Sequence, residues 1–190
     1  MSDEMNPVPP VDAPARPPRR SLWRGIVREV FGSFLPAVLI VAVVNLFVAQ
    51  PRTVDGESME PSLYEDQRLI VELLSYRFEQ PARGDIIVLN LHERDTGPLI
   101  KRVVGLPGDM VEIRDGQVLI NGEPLSEPYL AEPTTGVMKA RLVPEEHVFV
   151  MGDNRNASND SRYFGMVPYE NVLGRAWLRY WPPSEVELFH

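Results

Sequence analysis

The segment "GESMEPSL", residues 56–63, carries a serine, Ser58, whose hydroxyl could attack a carbonyl if a neighbouring base took its proton. Without a base, a hydroxyl at its free pKa is a poor nucleophile. The same residues also suit an ordinary turn: Gly56 can take positive φ, Glu57 and Ser58 tolerate solvent, and Pro61 fixes its own φ. What separates the two readings is the base. Three histidines are available: His92 beside Glu93, His147 ahead of a β-like run, and His190. A Ser–His pair through His147 is one possibility and solvated histidines the other, and the wide spacing of the three gives no metal-ligand pattern.

Lysine is the rarer base. Of the 19 Lys+Arg only two are lysines, Lys101 and Lys139, so where positive charge alone is wanted this chain uses arginine. In "PLIKRVVGLPGD", strand alternation puts Leu99, Lys101 and Val103 on one face and Ile100, Arg102 and Val104 on the other. One of the adjacent cations should point inward. Only the lysine can lose its proton there, because apolar surroundings disfavour ammonium while guanidinium stays charged. A buried neutral lysine is a general base; a lysine that snorkels its head into water is the alternative.

A third stretch, "MGDNRNASNDSRYFGMVP" at 151–168, is too polar for a strand yet lies between two β-like runs. Loops of this composition often satisfy their own backbone through Asx and Ser turns. Here Asp160 with Arg162 could form an ion pair, and Ser158 could donate or accept a hydrogen bond. Such a network could orient a neutral lysine and its serine.

These residues need elements to hold them. A chain of 190 residues supports one domain with a real core plus an extra segment. The absence of cysteine excludes a disulfide framework, a thiolate metal site and a cysteine nucleophile. A formal charge of -8 argues against nucleic-acid binding, which needs a basic stripe to displace counterions. Residues 1–29 are proline-rich, have no aromatic before Trp23, and carry Arg16, Arg19, Arg20, Arg24 and Arg28, a composition that reads as a flexible tail.

No charge occurs over residues 30–51, and 34–49 is almost wholly apolar, so a transmembrane helix is expected at 30–49. That run exceeds the apolar region of a cleavable signal, about 7–15 residues. Five arginines precede it with only Glu29 nearby, whereas Arg52 is soon offset by Asp55 and Glu57; the positive-inside rule then puts the N-terminus in the cytoplasm and residues 50–190 outside. Trp177, Tyr180 and Trp181 could anchor at the interface or pack at a rim.

The outer part reads as mostly β. "RLIVELL", "GDIIVLNL", "LIKRVVGL", "EHVFVMG" and "VLGRAWLRYW" are strand-like, and "MVEIRDGQVLING" holds two strands around Asp115-Gly116, a dipeptide favoured in type I′ turns. The expected architecture is a compact antiparallel β-sandwich or barrel-like domain behind a single N-terminal transmembrane helix.

Taken together and in order, "GESMEPSL", "RGDIIVL", "KRVVGLPGD" and "GDNRNASNDSRYFG" behind one span resemble the bacterial type I signal peptidases, membrane-anchored serine proteases that remove signal peptides from exported proteins. The resemblance implies Ser58 as nucleophile, Lys101 as general base, Ser158 as the hydroxyl that orients the amine, and Asp160 with Arg162 as a supporting pair. It implies cleavage after Ala-x-Ala-like residues, a substrate strand beside Asp55 and Glu57, signal peptides and the lipid bilayer as partners, a plasma-membrane location, and neither cofactor nor metal.

One position departs from part of the family. Some members carry a serine two residues before the nucleophile whose hydroxyl helps bind the oxyanion; here that residue is Gly56. Main-chain donors must then serve, chiefly the Ser58 N–H, with the Gly56 N–H or a water as the second donor, and Gly56→Ser is expected to leave activity equal or higher. With about 50 residues between Lys101 and Gly152, at most a small cap is expected on the catalytic core. Two other classes share parts of the pattern: a self-cleaving repressor-type Ser–Lys protease, which should carry a DNA-binding region instead of a span, and an anchored binding module, which has no use for Ser58, Lys101 and Ser158 together.

Overall fold

The computed structural model describes residues 19–91 and 97–189, so most of the expected tail, together with His92 and His190, lies outside the described residues. Contacts divide the chain into two units, Met1–Ala42 and Val43–His190.

In the first unit, helix α1 runs Arg19–Val43 with Pro36 inside it, so residues 19–29, expected in the tail, are helical. The second unit opens with a turn of wider π-type helix, Val44–Val48. From Glu29 to Val48, 20 residues have a mean hydropathy of 2.4. At about 1.5 Å per residue that stretch is long enough, and apolar enough, to cross about 30 Å of hydrocarbon.

The second unit is mostly β and antiparallel. Its large sheet has the order β1 (Ala49–Thr53), β2 (Arg68–Glu72), β11 (Val172–Trp181), β3 (Ile86–Leu89), β4 (Leu99–Gly105), β9 (His147–Met151) and β10 (Val167–Pro168), with β12 (Glu187–Leu188) also pairing with β11. A small sheet has the order β7 (Glu123–Pro124), β6 (Gln117–Ile120), β5 (Met110–Arg114) and β8 (Met138–Leu142). The β5–β6 hairpin turns at Asp115 and Gly116, with φ of 53° and 81°. Both values are positive, as a type I′ turn requires.

The small sheet is the cap anticipated between Lys101 and Gly152, but β8 went unread: four of its five residues are exposed, so it lacks the apolar alternation that marks a strand. Strand β1 was hidden by Pro51, which an edge strand tolerates because it pairs on one side only.

Two apolar layers cover the faces of the large sheet. Val54, Met59, Leu63, Leu69, Ile86 and Ala176 form one, and Ile87, Leu89, Val103, Val148, Val150 and Val167 the other. Residues next to one another on β3, Ile86 and Ile87, feed opposite layers, as strand alternation demands. A third cluster joins the sheets: Val104, Phe149 and Met151 of the large one meet Val111, Ile113 and Val118 of the small one. The central strands β3, β4 and β9 are thus clamped from both sides, and β4 and the loop after β9 deliver the polar groups of the site.

Candidate active site

Ser58 follows the edge strand β1. Val54 is buried at the start of the connection, whereas Asp55, Gly56 and Glu57 are exposed. The chain then turns at Ser58, with the Leu63 N–H donating to the Met59 carbonyl at 2.9 Å. Met59 and Leu63 are both fully buried. The segment is therefore a turn as well as a candidate site: two apolar anchors fix it and leave Ser58 half-buried between them and the solvent.

Lys101 comes from the middle of β4, opposite Ile87 in register. Only 3% of it is exposed. Its Nζ lies 2.8 Å from Ser58 Oγ and 2.9 Å from the Ile100 carbonyl. Burial pulls its pKa from 10.5 down to about 8, against the Asp160 and Asp153 carboxylates, which favour the charged form. A neutral amine can donate to Ile100 while its lone pair accepts the Ser58 O–H. Lys101 is thus the inward member of the adjacent pair, and the snorkelling alternative is excluded.

The two carboxylates that oppose this shift are each occupied by an arginine. Arg102, on the other face of β4, donates to Asp153 at 2.6 and 2.8 Å and to the Gly84 carbonyl at 2.8 Å. Burial works against its charge, but the hydrogen bonds and charge of Asp153 more than offset that and raise its pKa. Asp160 is fully buried and accepts two bonds of 2.8 Å from the Arg162 side chain. It also caps the short helix α2 (Ser161–Phe164) through the Arg162 N–H and takes the Gly152 N–H at 3.1 Å.

Ser158, given by the resemblance as the hydroxyl that orients the amine, lies in the loop after β9. Its Oγ is buried and makes no hydrogen bond among the described residues, and the second bond of the lysine amine goes to Ile100. Ser158 instead packs on Gly152: a Cβ built there would overlap Ser158 Oγ and the Ser58 carbonyl oxygen, and would lie 2.6 Å from Ser158 Cβ. Only a residue without a side chain lets the three segments meet.

The Asn154 N–H donates to the Ser58 carbonyl at 3.1 Å, joining the loop after β9 directly to the serine. Gly152 and Asn154 were missed by sequence reasoning, although a Gly directly after an apolar strand and before a polar run was a usable signal. Among the described residues the main-chain N–H groups of Gly56 and Ser58 make no hydrogen bond, so both are free to donate. His147 Nδ1 lies 2.7 Å from the Glu145 carbonyl, and Ser58 Oγ is engaged by Lys101 instead. Among the described residues no group of three or more His, Cys, Asp or Glu comes together to hold a metal.

The family model described as signal peptidase, peptidase S26, matches residues 27–181. The chain belongs to this signal peptidase family. Similar proteins include a probable signal peptidase I-1 from Synechocystis sp., 41% identical with 88% of each chain covered. A signal peptidase I from Leptolyngbya laminosa is 43% identical over 79% of this chain and 77% of that one. Signal peptidase IB from Staphylococcus aureus is 32% identical over 80% of this chain and 88% of its own length. Among solved structures, a signal peptidase I from Enterococcus faecalis is 40% identical, with a TM-score of 0.47, covering 51% of this chain and 97% of that one. The family read from the four sequence blocks is therefore the right one, and in this signal peptidase all four lie in the unit that holds the Ser58–Lys101 contact.

Proposed function

We propose that the protein is a membrane-anchored serine endopeptidase that cleaves signal peptides from exported preproteins after small residues of the Ala-x-Ala type, with Ser58 as nucleophile and Lys101 as general base. The observation that carries this reading is the 2.8 Å separation of Lys101 Nζ and Ser58 Oγ, with the amine buried.

In this mechanism the neutral amine of Lys101 accepts the Ser58 proton as Oγ attacks the scissile carbonyl. The developing oxyanion is met by the Ser58 N–H, with the Gly56 N–H as second donor. Collapse of the tetrahedral intermediate expels the mature protein's new amino group, which takes the proton back from Lys101, and leaves an acyl-enzyme. Water, deprotonated by the same amine, then releases the signal peptide. Family membership and the exposed, unladdered backbone of Asp55–Glu57 support an extended substrate that adds a strand there, so that main-chain bonds give affinity and small side-chain pockets give selectivity. Asp160 with Arg162, and Ser158 packed on Gly152, hold the loop that closes on the pair.

The apolar stretch Glu29–Val48 supports anchoring, and the arginines ahead of it support a cytoplasmic N-terminus with the catalytic unit on the outer face of the plasma membrane. Ser58 lies so few residues beyond the stretch that enzyme and membrane-held substrate share one thin layer.

The test is cleavage of a preprotein by the detergent-solubilised chain. Ser58→Ala and Lys101→Arg should each abolish processing; normal turnover by either one refutes the pair. Replacing the small residues before the cleavage site with large ones should also stop processing, and indifference to them would refute the specificity.

A further inference from the structure

The loop after β9 is irregular, yet it sets the position of Ser58 through Asn154 and Gly152. Something outside the loop must keep it in place. Arg155 lies in this loop with its side chain 1% exposed, and its guanidinium meets the Glu127 carboxylate, itself 6% exposed, from two nitrogens, one of them at 3.0 Å. The same guanidinium donates to Thr134 Oγ1 at 2.7 Å and to the Gly152 carbonyl at 3.2 Å. Glu127 also accepts the Tyr129 hydroxyl at 2.8 Å, and the Tyr129 ring lies 4.1 Å beneath the Arg102 guanidinium. Glu127, Tyr129 and Thr134 all belong to the connection between β7 and β8 of the small sheet. That connection thus grips both flanks of Asp153: Arg155 two residues along the loop, and Arg102 across the ion pair.

We propose that Glu127 is a positioning residue for the Ser58–Lys101 pair, acting through Arg155 on Gly152 and so on the Ser58 carbonyl. This rests on the reading of Ser58 as nucleophile and gives the small sheet a task in the reaction: its β7–β8 connection is a clamp on the catalytic loop. A side chain that acts this way alters the alignment of the nucleophile without touching the substrate strand, so it changes kcat and spares KM. A displacement of about 1 Å is enough to cost about 100-fold in rate.

The experiment compares three variants with the parent in the full-length, detergent-solubilised chain, following kcat, KM, thermal midpoint and the rate at which a small serine-reactive acylating probe modifies Ser58. Glu127→Gln leaves a buried guanidinium unpaired; it should lower the midpoint and reduce kcat about 10- to 100-fold at unchanged KM. The double variant Glu127→Met with Arg155→Met replaces the pair by apolar groups and should regain the midpoint while kcat stays low, because the Gly152 carbonyl has lost its donor. Thr134→Val keeps the ion pair but takes one acceptor from the buried guanidinium, so it should lower kcat and probe acylation together by a smaller factor, with a smaller fall in the midpoint than Glu127→Gln. Recovery of kcat along with the midpoint in the double variant, or parental acylation rates in all three, overturns the clamp alone. A parent chain that the probe fails to acylate at Ser58 overturns the nucleophile and the clamp with it.

Discussion

Lys101 and Arg102 are neighbours on β4 that face opposite sides of the sheet: the amine is buried 2.8 Å from Ser58 Oγ, and the guanidinium is 2.6 Å from an Asp153 oxygen. One residue of strand alternation therefore separates a cation made to lose its proton from one made to keep it. The second protects the first, because Asp153 left unpaired would draw the amine back to its charged form.

This arrangement sets a pH dependence. With Lys101 pulled down to about 8, kcat/KM should rise through a midpoint near pH 8 as the amine loses its proton. Arg102→Met removes the partner of Asp153, so the midpoint should move upward and the rate at pH 7 should fall. A shift of one pH unit corresponds to about a tenfold loss there. A pH profile of kcat/KM for both proteins checks this, and an unmoved midpoint would show that Arg102 does not shield the amine.

Burying the amine also carries a stability cost. Unfolding restores the ordinary pKa, so between about pH 8 and 10.5 the unfolded chain binds more protons than the folded one, and stability contributed by this group rises with pH across that window. Below pH 8 the penalty is present in full, about 3 kcal/mol for a shift of this size. Lys101→Met should thus be inactive yet more stable than the parent at pH 7, by up to about 3 kcal/mol, with the difference shrinking above pH 8. Denaturant unfolding at pH 7 and pH 9.5 measures it; a variant less stable than the parent at pH 7 would speak against a strained amine.

Gly152 has no room for a side chain where Ser58 and Ser158 meet. Gly152→Ala should destabilise the fold by about 1–3 kcal/mol, the usual cost of overpacking. Because the displaced atoms include the Ser58 carbonyl, activity should fall at least about 100-fold. Preprotein cleavage with an unfolding curve on the same sample separates the two effects, and a stable, active variant would disprove the close approach.

Gly56 is the opposite case. A Cβ there meets nothing within 4 Å, but φ is +74°, which a serine adopts at a cost of about 1–2 kcal/mol. Gly56→Ser should keep or raise kcat by adding a hydroxyl near the oxyanion, as expected from the sequence, while lowering the thermal midpoint. A tenfold fall in kcat at 25 °C, well below the midpoint, would count against oxyanion binding at this edge.

The sequence made the strands of the large sheet readable wherever β-branched runs were buried on both faces, as in β3 and β9. The Asp115-Gly116 turn was readable from its backbone chemistry alone. The inward choice of Lys101 over Arg102 was also legible, because it followed from which cation can be neutralised. Contacts between distant segments were not. Nothing local marks Arg155 as the partner of Glu127, since that meeting depends on how the small sheet packs on the large one. The bond from Lys101 to the Ile100 carbonyl was not legible either, because a main-chain acceptor leaves no mark in side-chain patterns.

The mechanism turns on the Lys101 amine giving up its proton near pH 8, well below the ordinary lysine range. The chain has only two lysines, Lys101 and Lys139, so a sample labelled with nitrogen-15 at lysine Nζ gives two resonances, assigned by Lys139→Arg. Titrating that sample by NMR should show Lys101 losing its proton near pH 8, in step with the rise in cleavage rate. A Lys101 amine that stays protonated up to about pH 10 while the enzyme is fully active would contradict the account.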